Sequence, residues 1–309
     1  MLIALHLQSA EIPAFKPRTR HVTRITNAFP RAAVHNCRDE AEFLNILPKA
    51  THALVWEFRA DWYARAARLQ HVATPAAGRD WVALPPEPGT RATFGSFHGP
   101  LVAQTLAGQL LAFNRGILDM ARLTRGGHLW PRIKLSANLR DVRGTRAVIL
   151  GFGNIGQAIG RVLKAFEIRV TGVRRDASQP APVWFTRGDH VLPASGLEGA
   201  LASADHLVCA LPATPETRLL LNAERLALLP PRATVYNVGR GNVLDEDALA
   251  LLLENGRLRG ALLDVFQAEP LSAGSRLRSA PNFHCLPHVS AIAPNYLDVW
   301  LDELLPKLP

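Results

Sequence analysis

Four side chains that could take part in catalysis each stand at or just beyond the end of an apolar segment. They are, in chain order, Arg240 between two glycines, Asp264, Glu269 and His288. A cation can bind an anionic substrate, a histidine can transfer a proton, and a carboxylate can stabilise an imidazolium, which together suit the reduction of a carbonyl group. Each alone has a plainer explanation: Arg240 could cap a helix, Asp264 could close a turn, and His288 could be a hydrogen-bonded core residue. The conjunction favours a site, because unpaired buried charges are costly and predict a common partner.

The sequence GFGNIG at residues 151–156 has the spacing of a phosphate-binding turn. An apolar run at 147–150 precedes it, apolar residues with helical spacing follow at 159–166, and a second apolar run covers 168–173. In such a unit the first glycine permits a tight turn, the second lets the backbone approach a pyrophosphate, and the third allows close packing. The free N–H groups of the helix would bind the phosphates. These residues predict a dinucleotide-binding unit.

The residue after the second strand of this unit indicates which dinucleotide is bound. An acidic residue there would bind the ribose hydroxyls of NAD, but the chain has Arg174 followed by Arg175. Two guanidinium groups suit a 2′-phosphate, so we expect NADP(H) to be favoured over NAD(H). A pair of solvated arginines near Asp176 is the alternative.

Strand and helix patterns alternate before and after the proline-rich break PPEPG at 85–89. Predicted helices include 39–47, 62–69 and a long one over 100–123, and 179–183 is a predicted loop. This alternation predicts parallel sheets covered by helices, hence an α/β fold.

The sequence TPAAGRD at residues 74–80 follows an apolar run of the first part. Open α/β sheets bind ligands at the carboxyl ends of their strands, and the backbone N–H groups of these small residues could hold a carboxylate. A plain strand-to-helix turn fits the same residues equally well.

The composition limits the possible classes of protein. The 309 residues predict roughly two domains, and the 48% hydrophobic content is enough for buried cores. The net charge is +9 and the sequence pI is about 10.2. The arginines are scattered without aromatic and basic interleaving, so we expect a basic surface that attracts anionic small molecules and no nucleic-acid partner.

Apolar segments and cysteines bear on where the protein resides. No apolar stretch reaches the ~20 residues that span a bilayer, so we expect no membrane partner, and the start of the chain reads as a strand and not as a signal peptide. The three cysteines are Cys37, Cys209 and Cys285. Their odd number and wide separation predict no disulfide frame or metal site and a cytoplasmic protein.

Five ordered motifs make the chain resemble the D-isomer-specific 2-hydroxyacid dehydrogenases over nearly its whole length. They are GFGNIG at 151–156, LPATPET at 211–217, NVGRG at 237–241, ALLDVFQAEPL at 261–271 and LPHVS at 286–290. The resemblance implies an α/β fold of two Rossmann-like or flavodoxin-like domains, each a doubly wound parallel sheet, with a cleft between them. Residues 1–97 with 288–309 would form the substrate domain, and residues 98–287 the dinucleotide-binding domain.

The resemblance also implies roles for individual residues. Arg240 would bind the substrate carboxylate and polarise its carbonyl group, His288 would be the acid/base, and Glu269 would stabilise the imidazolium. Backbone groups of Ala77 and Gly78 would take the other side of the carboxylate. The cofactor residues would be Gly151, Gly153, Asn154, Ile155, Gly156, Arg174, Arg175, Leu211, Pro212, Thr217, Val238, Gly239, Asp264 and Ser290, with Asp264 meeting the nicotinamide carboxamide and Ser290 assisting it.

Within the family, the chain is most similar to the NADP-preferring glyoxylate/hydroxypyruvate reductases. This similarity implies reduction of a small 2-oxoacid to the D-2-hydroxyacid by NADPH in a homodimer, and it makes Trp56 a candidate substrate contact or a core aromatic. A dinucleotide-sensing, corepressor-like binding protein is the alternative from another class. A formate dehydrogenase is disfavoured, because the acid/base glutamate is not expected there.

Two positions depart from the family pattern. Gly239 stands where alanine or serine is expected, which changes the backbone freedom beside Arg240. Thr105 ends Ala-Gln-Thr in place of the usual Ala-Glu-His, which makes the role of this predicted helix less certain.

Overall fold

The computed structural model describes residues 1–9, 11–85 and 89–308. The chain forms two compact units, Met1–His98 with Ile292–Pro309, and Gly99–Ala291. The domain boundaries expected from the sequence differ from the observed ones by one residue at His98 and by four residues at Ala291. Residues 288–291, including His288, therefore belong to the second unit.

The described residues contain twelve β-strands, which all pair in parallel. They are β1 (Leu2–His6), β2 (Ala33–Asn36), β3 (His52–Val55), β4 (His71–Thr74), β5 (Arg91–Phe94), β6 (Arg146–Leu150), β7 (Arg169–Val173), β8 (His190–Leu192), β9 (His206–Cys209), β10 (Thr234–Asn237), β11 (Gly260–Leu263) and β12 (Phe283–Cys285). The first unit has a sheet of order β2-β1-β3-β4-β5, and the second a sheet of order β12-β11-β10-β9-β6-β7-β8. The predicted α/β class with parallel sheets is confirmed.

Ten α-helices connect or cover these strands within the same described ranges. They are α1 (Thr19–Ala28), α2 (Glu40–Ile46), α3 (Gly99–Asn114), α4 (Ile117–Arg125), α5 (Arg132–Ser136), α6 (Asn154–Lys164), α7 (Leu197–Leu201), α8 (Ala223–Ala227), α9 (Glu246–Glu254) and α10 (Tyr296–Leu304). None of these helices is both long enough and apolar enough to cross a membrane.

The sheet of the second unit is buried on both faces. One face packs against apolar residues of α7, α8 and α9, and the other against α3 and α6. Strands covered on both faces read as continuous apolar runs, which is why β9, β10 and β11 are visible in the sequence. The strand order reverses between β6 and β9, and the carboxyl ends of strands at such a switch point form the crevice where this fold binds ligands.

The structure differs from the predicted elements at several places. The single helix expected over 100–123 is two helices, because Gly116 adopts a left-handed backbone (φ 69°) between α3 and α4. The helix expected over 62–69 is a 3₁₀ helix, Ala60–Arg65. Residues 179–183 form a loop, as predicted. Of the predicted break at 85–89, residues 86–88 lie outside the described ranges.

His206 is a buried titratable group at the start of β9. It is 3% exposed, and burial lowers the pKa of its imidazole to about 4. Its Nε2 lies 3.3 Å from Thr145 Oγ1. Because an unfolded histidine titrates near pH 6.5, the stabilisation associated with the neutral ring is fully present above that pH and is lost as the pH falls toward 4.

We expect the free energy of unfolding to fall between pH 7 and pH 5, with about 2 kcal/mol of the loss due to His206. His206→Leu replaces the ring with a side chain that binds no proton, so its loss should be smaller by that amount. Urea unfolding at the two pH values measures the difference. His190→Leu, at the exposed first residue of β8, is the control and should keep the wild-type pH dependence. Equal losses in His206→Leu and the wild type would contradict this account.

Candidate active site

The loop after β10 carries Arg240, and Asn237 fixes its shape. Asn237 is fully buried; its Oδ1 accepts a hydrogen bond from Gly239 N at 3.1 Å, and its Nδ2 donates to Arg240 O at 3.1 Å. One side chain therefore sets the backbone on both sides of the arginine. The sequence interpretation gave Asn237 no role, although a polar residue ending a buried strand was the available signal.

The glycine at position 239 is explained by close packing. A Cβ atom placed on Gly239 would lie 2.5 Å from the carbonyl oxygen of Leu211 and 2.7 Å from its nitrogen. Those are backbone atoms of the neighbouring strand-end loop, so an alanine would require the two loops to separate. The departure from the family pattern is therefore matched by the packing in this chain.

Asp264 follows β11 and fixes the turn that carries His288. Its backbone oxygen accepts from His288 N at 2.9 Å. Its carboxylate accepts from Val289 N at 2.8 Å and from Ser290 N at 3.1 Å. The residue is 3% exposed, so these bonds compensate for burying its charge. His288 adopts φ 54°, an uncommon backbone for a non-glycine residue.

Glu269 and His288 form a hydrogen-bonded pair. Glu269 Oε2 lies 2.8 Å from His288 Nδ1, and the two side chains are 37% and 47% exposed. The other oxygen of Glu269 accepts from Phe266 N at 3.0 Å, which orients the carboxylate. Both groups are open to small molecules and linked through one nitrogen of the ring.

Arg240 follows β10, Asp264 and Glu269 follow β11, and His288 follows β12. These three strands are neighbours in the parallel sheet. The carboxyl ends of these strands lie along one edge. Asn237 O accepts from Asp264 N at 2.9 Å, which joins the first two of these segments directly.

The glycine turn lies between β6 and α6. Gly151 has φ 85°, a backbone that only glycine adopts readily, and it approaches the carbonyl of Ala210. Gly156 packs against the carbonyl oxygen of Gly151. Gly153 has open space on its side-chain face, and it is followed by Asn154 and Ile155 in the first turn of α6. The tight turn and the close packing are thus present, and the binding of a pyrophosphate at this turn stays a prediction.

The remaining cofactor candidates of the second unit lie on adjoining strand ends. Thr217 Oγ1 donates to Pro212 O at 2.7 Å and accepts from Thr214 N at 2.9 Å, closing the turn that begins at Leu211. Val238 N donates to Cys209 O at 2.9 Å, which fixes it beside β9.

The two arginines after β7 have different surroundings. Arg174 is partly buried, and its guanidinium donates to the carbonyl oxygens of Gln179 at 2.5 Å and Pro180 at 3.4 Å. Arg175 is exposed, and its charge contributes to lowering the pKa of Glu216, after hydrogen bonds from Thr214 and from Glu216's own backbone. Arg174 therefore braces the following loop, and Arg175 offers the more accessible charge.

Two features of the second unit, at Ser290 and at Gly153, suit the binding of a dinucleotide. Ser290 is 4% exposed, and its hydroxyl oxygen makes no hydrogen bond within the described part of the chain. Such an orphaned buried hydroxyl suits an external polar partner, and the open face of Gly153 provides room for a phosphate. The Thr105 hydroxyl donates to Ser290 O at 3.0 Å. The residue that departs from the family pattern therefore supports the backbone of Ser290.

Three predicted substrate residues belong to the first unit. Trp56 is partly buried; its indole N–H donates to Phe15 O at 3.2 Å, and the two rings lie 4.5 Å apart. Ala77 is exposed and Gly78 is partly exposed after β4. Trp56 therefore offers a ring surface, while the 77–78 segment offers backbone groups.

Comparison with known proteins identifies the relatives of the chain. Glyoxylate/hydroxypyruvate reductase B of Pectobacterium carotovorum is 35% identical over 62% of the chain and 58% of that protein. The glyoxylate reductase of Pyrococcus furiosus is 32% identical over 74% of the chain and 68% of that protein. The alignment with the Pectobacterium reductase thus spans less than two thirds of its length.

A solved structure covers more of the chain. The NADPH-dependent glyoxylate/hydroxypyruvate reductase of Sinorhizobium meliloti, in complex with NADP and sulfate, superimposes with a TM-score of 0.78. It is 27% identical, and the match covers 100% of this chain and 96% of the other. Residues 107–290 match the family described as D-isomer specific 2-hydroxyacid dehydrogenase, NAD binding domain. With its NAD(P)-binding domain and its two parallel sheets, the chain belongs to the D-isomer specific 2-hydroxyacid dehydrogenases.

Proposed function

We propose that the enzyme reduces a small 2-oxoacid, similar to glyoxylate or hydroxypyruvate, to the D-2-hydroxyacid with NADPH. The observation that carries this proposal is the 2.8 Å contact between Glu269 Oε2 and His288 Nδ1. It lies on the same sheet edge as the loop of Arg240. A carboxylate bonded to one ring nitrogen leaves Nε2 to exchange a proton with substrate.

His288 acts as the acid in the direction of reduction. Its imidazolium transfers the Nε2 proton to the carbonyl oxygen, and Glu269 holds the ring through Nδ1 and stabilises the charged form before transfer. The left-handed backbone of His288 is kept by its bonds to Asp264, so the ring projects from a fixed turn.

Arg240 binds the carboxylate of the 2-oxoacid and polarises its carbonyl group. A guanidinium presents a planar fork of donors that matches a carboxylate. The bonds from Asn237 fix the backbone of the loop that carries this fork, and Arg240 Nη1 donates to Gly239 O at 3.1 Å. This order lowers the cost of positioning the guanidinium when substrate binds. In the first unit, the backbone groups of Ala77 and Gly78 and the ring of Trp56 are the proposed substrate contacts.

A bound nicotinamide supplies the hydride that reduces the carbonyl carbon. The glycine turn 151–156 would hold the pyrophosphate, and Ser290 would hydrogen-bond the carboxamide, with Asp264 keeping Ser290 N in place. Arg175 would bind the 2′-phosphate while Arg174 supports the loop beside it. One structural relative in complex with NADPH, and an NADPH-dependent one in complex with NADP, support this preference.

The regulatory alternative has no support from the relatives, which are described as reductases.

The cysteines described here are free, with Cys37 and Cys209 buried and Cys285 exposed. Free thiols suit a reducing environment, which supports a cytoplasmic location.

Turnover of a panel of 2-oxoacids tests the function. We expect oxidation of NADPH, followed at 340 nm, with glyoxylate and hydroxypyruvate, and weaker turnover of pyruvate and phenylpyruvate. His288→Asn should lower kcat/KM by roughly 10²–10⁴-fold at pH 7, because the proton donor is lost. NADPH affinity should stay unchanged. Arg240→Ala should lose most turnover because the substrate carboxylate has no guanidinium partner.

Normal turnover in either variant would rule out these roles. If the wild type binds NADPH tightly but turns over none of the four acids, the proposed substrate class is contradicted. Isothermal titration with NADPH alone separates cofactor binding from chemistry.

The cofactor preference is tested at the two arginines. We expect Arg175→Ala to raise KM for NADPH by about 10-fold and KM for NADH by less than twofold, because a charge-assisted bond to phosphate is lost. Arg174→Ala should weaken both cofactors, since it loosens the loop at 179–180. Arg187→Ala, another exposed arginine of the same unit, should change neither. Equal effects of Arg175→Ala on both cofactors would remove the 2′-phosphate proposal.

We also propose that the enzyme is a homodimer joined through the second unit. Leu129 and Trp130, just before α5, and Ile133, within it, are 72%, 85% and 89% exposed. Adjacent exposed apolar side chains of this size mark association surfaces, and most soluble oligomers are formed by copies of one chain.

Light scattering should give twice the protomer mass of 33.7 kDa for the wild type. The double variant Trp130→Ser with Ile133→Asp should give the protomer mass, because its charge cannot be buried in an apolar interface. Val183→Asp is the control, since Val183 is also fully exposed on the second unit, and it should remain dimeric. A wild-type protomer mass, or an unchanged mass in the double variant, would contradict this interface.

A further inference from the structure

The loop that presents Glu269 is fastened to the start of α9. Gln267 N donates to Glu246 Oε1 at 2.6 Å, and Gln267 Nε2 donates to Leu244 O at 2.7 Å. A hydrogen bond from a backbone amide to a carboxylate is stronger than one between neutral groups. Glu269 itself is bonded to Phe266 N, so the bonds to Glu246 and to Glu269 arise from consecutive amides of one short loop.

The anchor at Glu246 is rigid. Asp245 caps α9 by accepting from Ala248 N at 3.0 Å, and Asp245 N donates to Leu221 O at 3.0 Å. Leu249 and Leu253 of the same helix are buried in the core. A carboxylate in the first turn of a helix also interacts favourably with the helix dipole.

The same segment connects to the arginine loop. Arg240 precedes Gly241, whose backbone packs directly against the carbonyl group of Phe266. Leu244 N donates to Gly241 O at 3.1 Å. The segment 240–246 therefore contacts the 266–269 loop at both ends, once by packing and once through Glu246.

Burial and neighbouring charges also affect the carboxyl group of Glu246. Burial raises the pKa of Glu246, and the charges of Asp247 and Glu269 raise it further, while the bond from Gln267 N opposes them. Asp247 lies on the same helix, and Glu269 lies on the facing loop. When ionised, Glu246 carries a negative charge that interacts with the charge of Glu269.

We propose that Glu246 is a positioning residue that sets Glu269 against His288 through the amide of Gln267. This role rests on the proposed function of the Glu269–His288 pair. The carboxylate of Glu246 accepts from the amide of Gln267, so it fixes the loop from which Glu269 reaches the histidine and adds a charge that interacts with Glu269.

Two substitutions at Glu246 separate its effect on the position of Glu269 from the effect of its own charge. Glu246→Ala removes the acceptor of Gln267 N, so we expect kcat to fall about 10-fold through misplacement of Glu269, with KM for NADPH unchanged. Glu246→Gln keeps an oxygen for the same hydrogen bond, so most of kcat should return. The alkaline limb of its pH profile should move to lower pH, because one negative charge near the pair is lost. Glu254→Gln, at an exposed carboxylate on the last residue of α9, is the matched control and should move neither quantity.

Nuclear magnetic resonance of the His288 ring gives a readout independent of turnover. Its titration, assigned by comparison with His288→Asn, should move to lower pH in both Glu246 variants and stay in place in Glu254→Gln. Wild-type kcat and an unmoved titration in Glu246→Ala would overturn the proposal, as would equal shifts in Glu254→Gln. A wild type inactive with every 2-oxoacid would overturn the proposed function, and the ring titrations would still decide the role of Glu246.

Discussion

The candidate site depends on the hydrogen bonds that Asp264, a buried residue, accepts from the turn that carries His288. Three successive amide groups, from His288 to Ser290, donate to this one residue. They hold His288 in a left-handed backbone that a non-glycine residue rarely adopts. The strain is small beside the cost of leaving a buried carboxylate without donors. These bonds fix the backbone from which the His288 ring extends, and Glu269 Oε2 lies 2.8 Å from Nδ1 of that ring.

Asn237 extends this constraint to the neighbouring strand. Its carbonyl receives the amide of Asp264, and its side chain shapes the loop of Arg240. A buried amide and a buried carboxylate, each at the end of a parallel strand, thus position the two groups that would meet substrate. Neither needs to contact the substrate, which separates the residues that hold the site from those proposed to act in it.

Much of the second unit could be predicted from the sequence. Strands β6, β9, β10 and β11 are buried on both faces and read as apolar runs, and the glycine turn has a fixed spacing. Edge strands such as β8 and β12 are short and partly exposed, so they lack that signal. The break at Gly116 was missed because helical spacing continues across it. The bonds of Asp264 and Arg174 to backbone groups depend on loop geometry that no spacing reveals.

The division of the chain into two units has an evolutionary consequence. Arg240, Glu269, His288 and the glycine turn all come from one continuous segment, Gly99–Ala291. Trp56 and the segment at 77–78 come from the other unit. A lineage could therefore replace the proposed substrate contacts of the first unit without disturbing the parts proposed to transfer the proton. Selection on those contacts and selection on the proposed proton transfer would act on different parts of the gene.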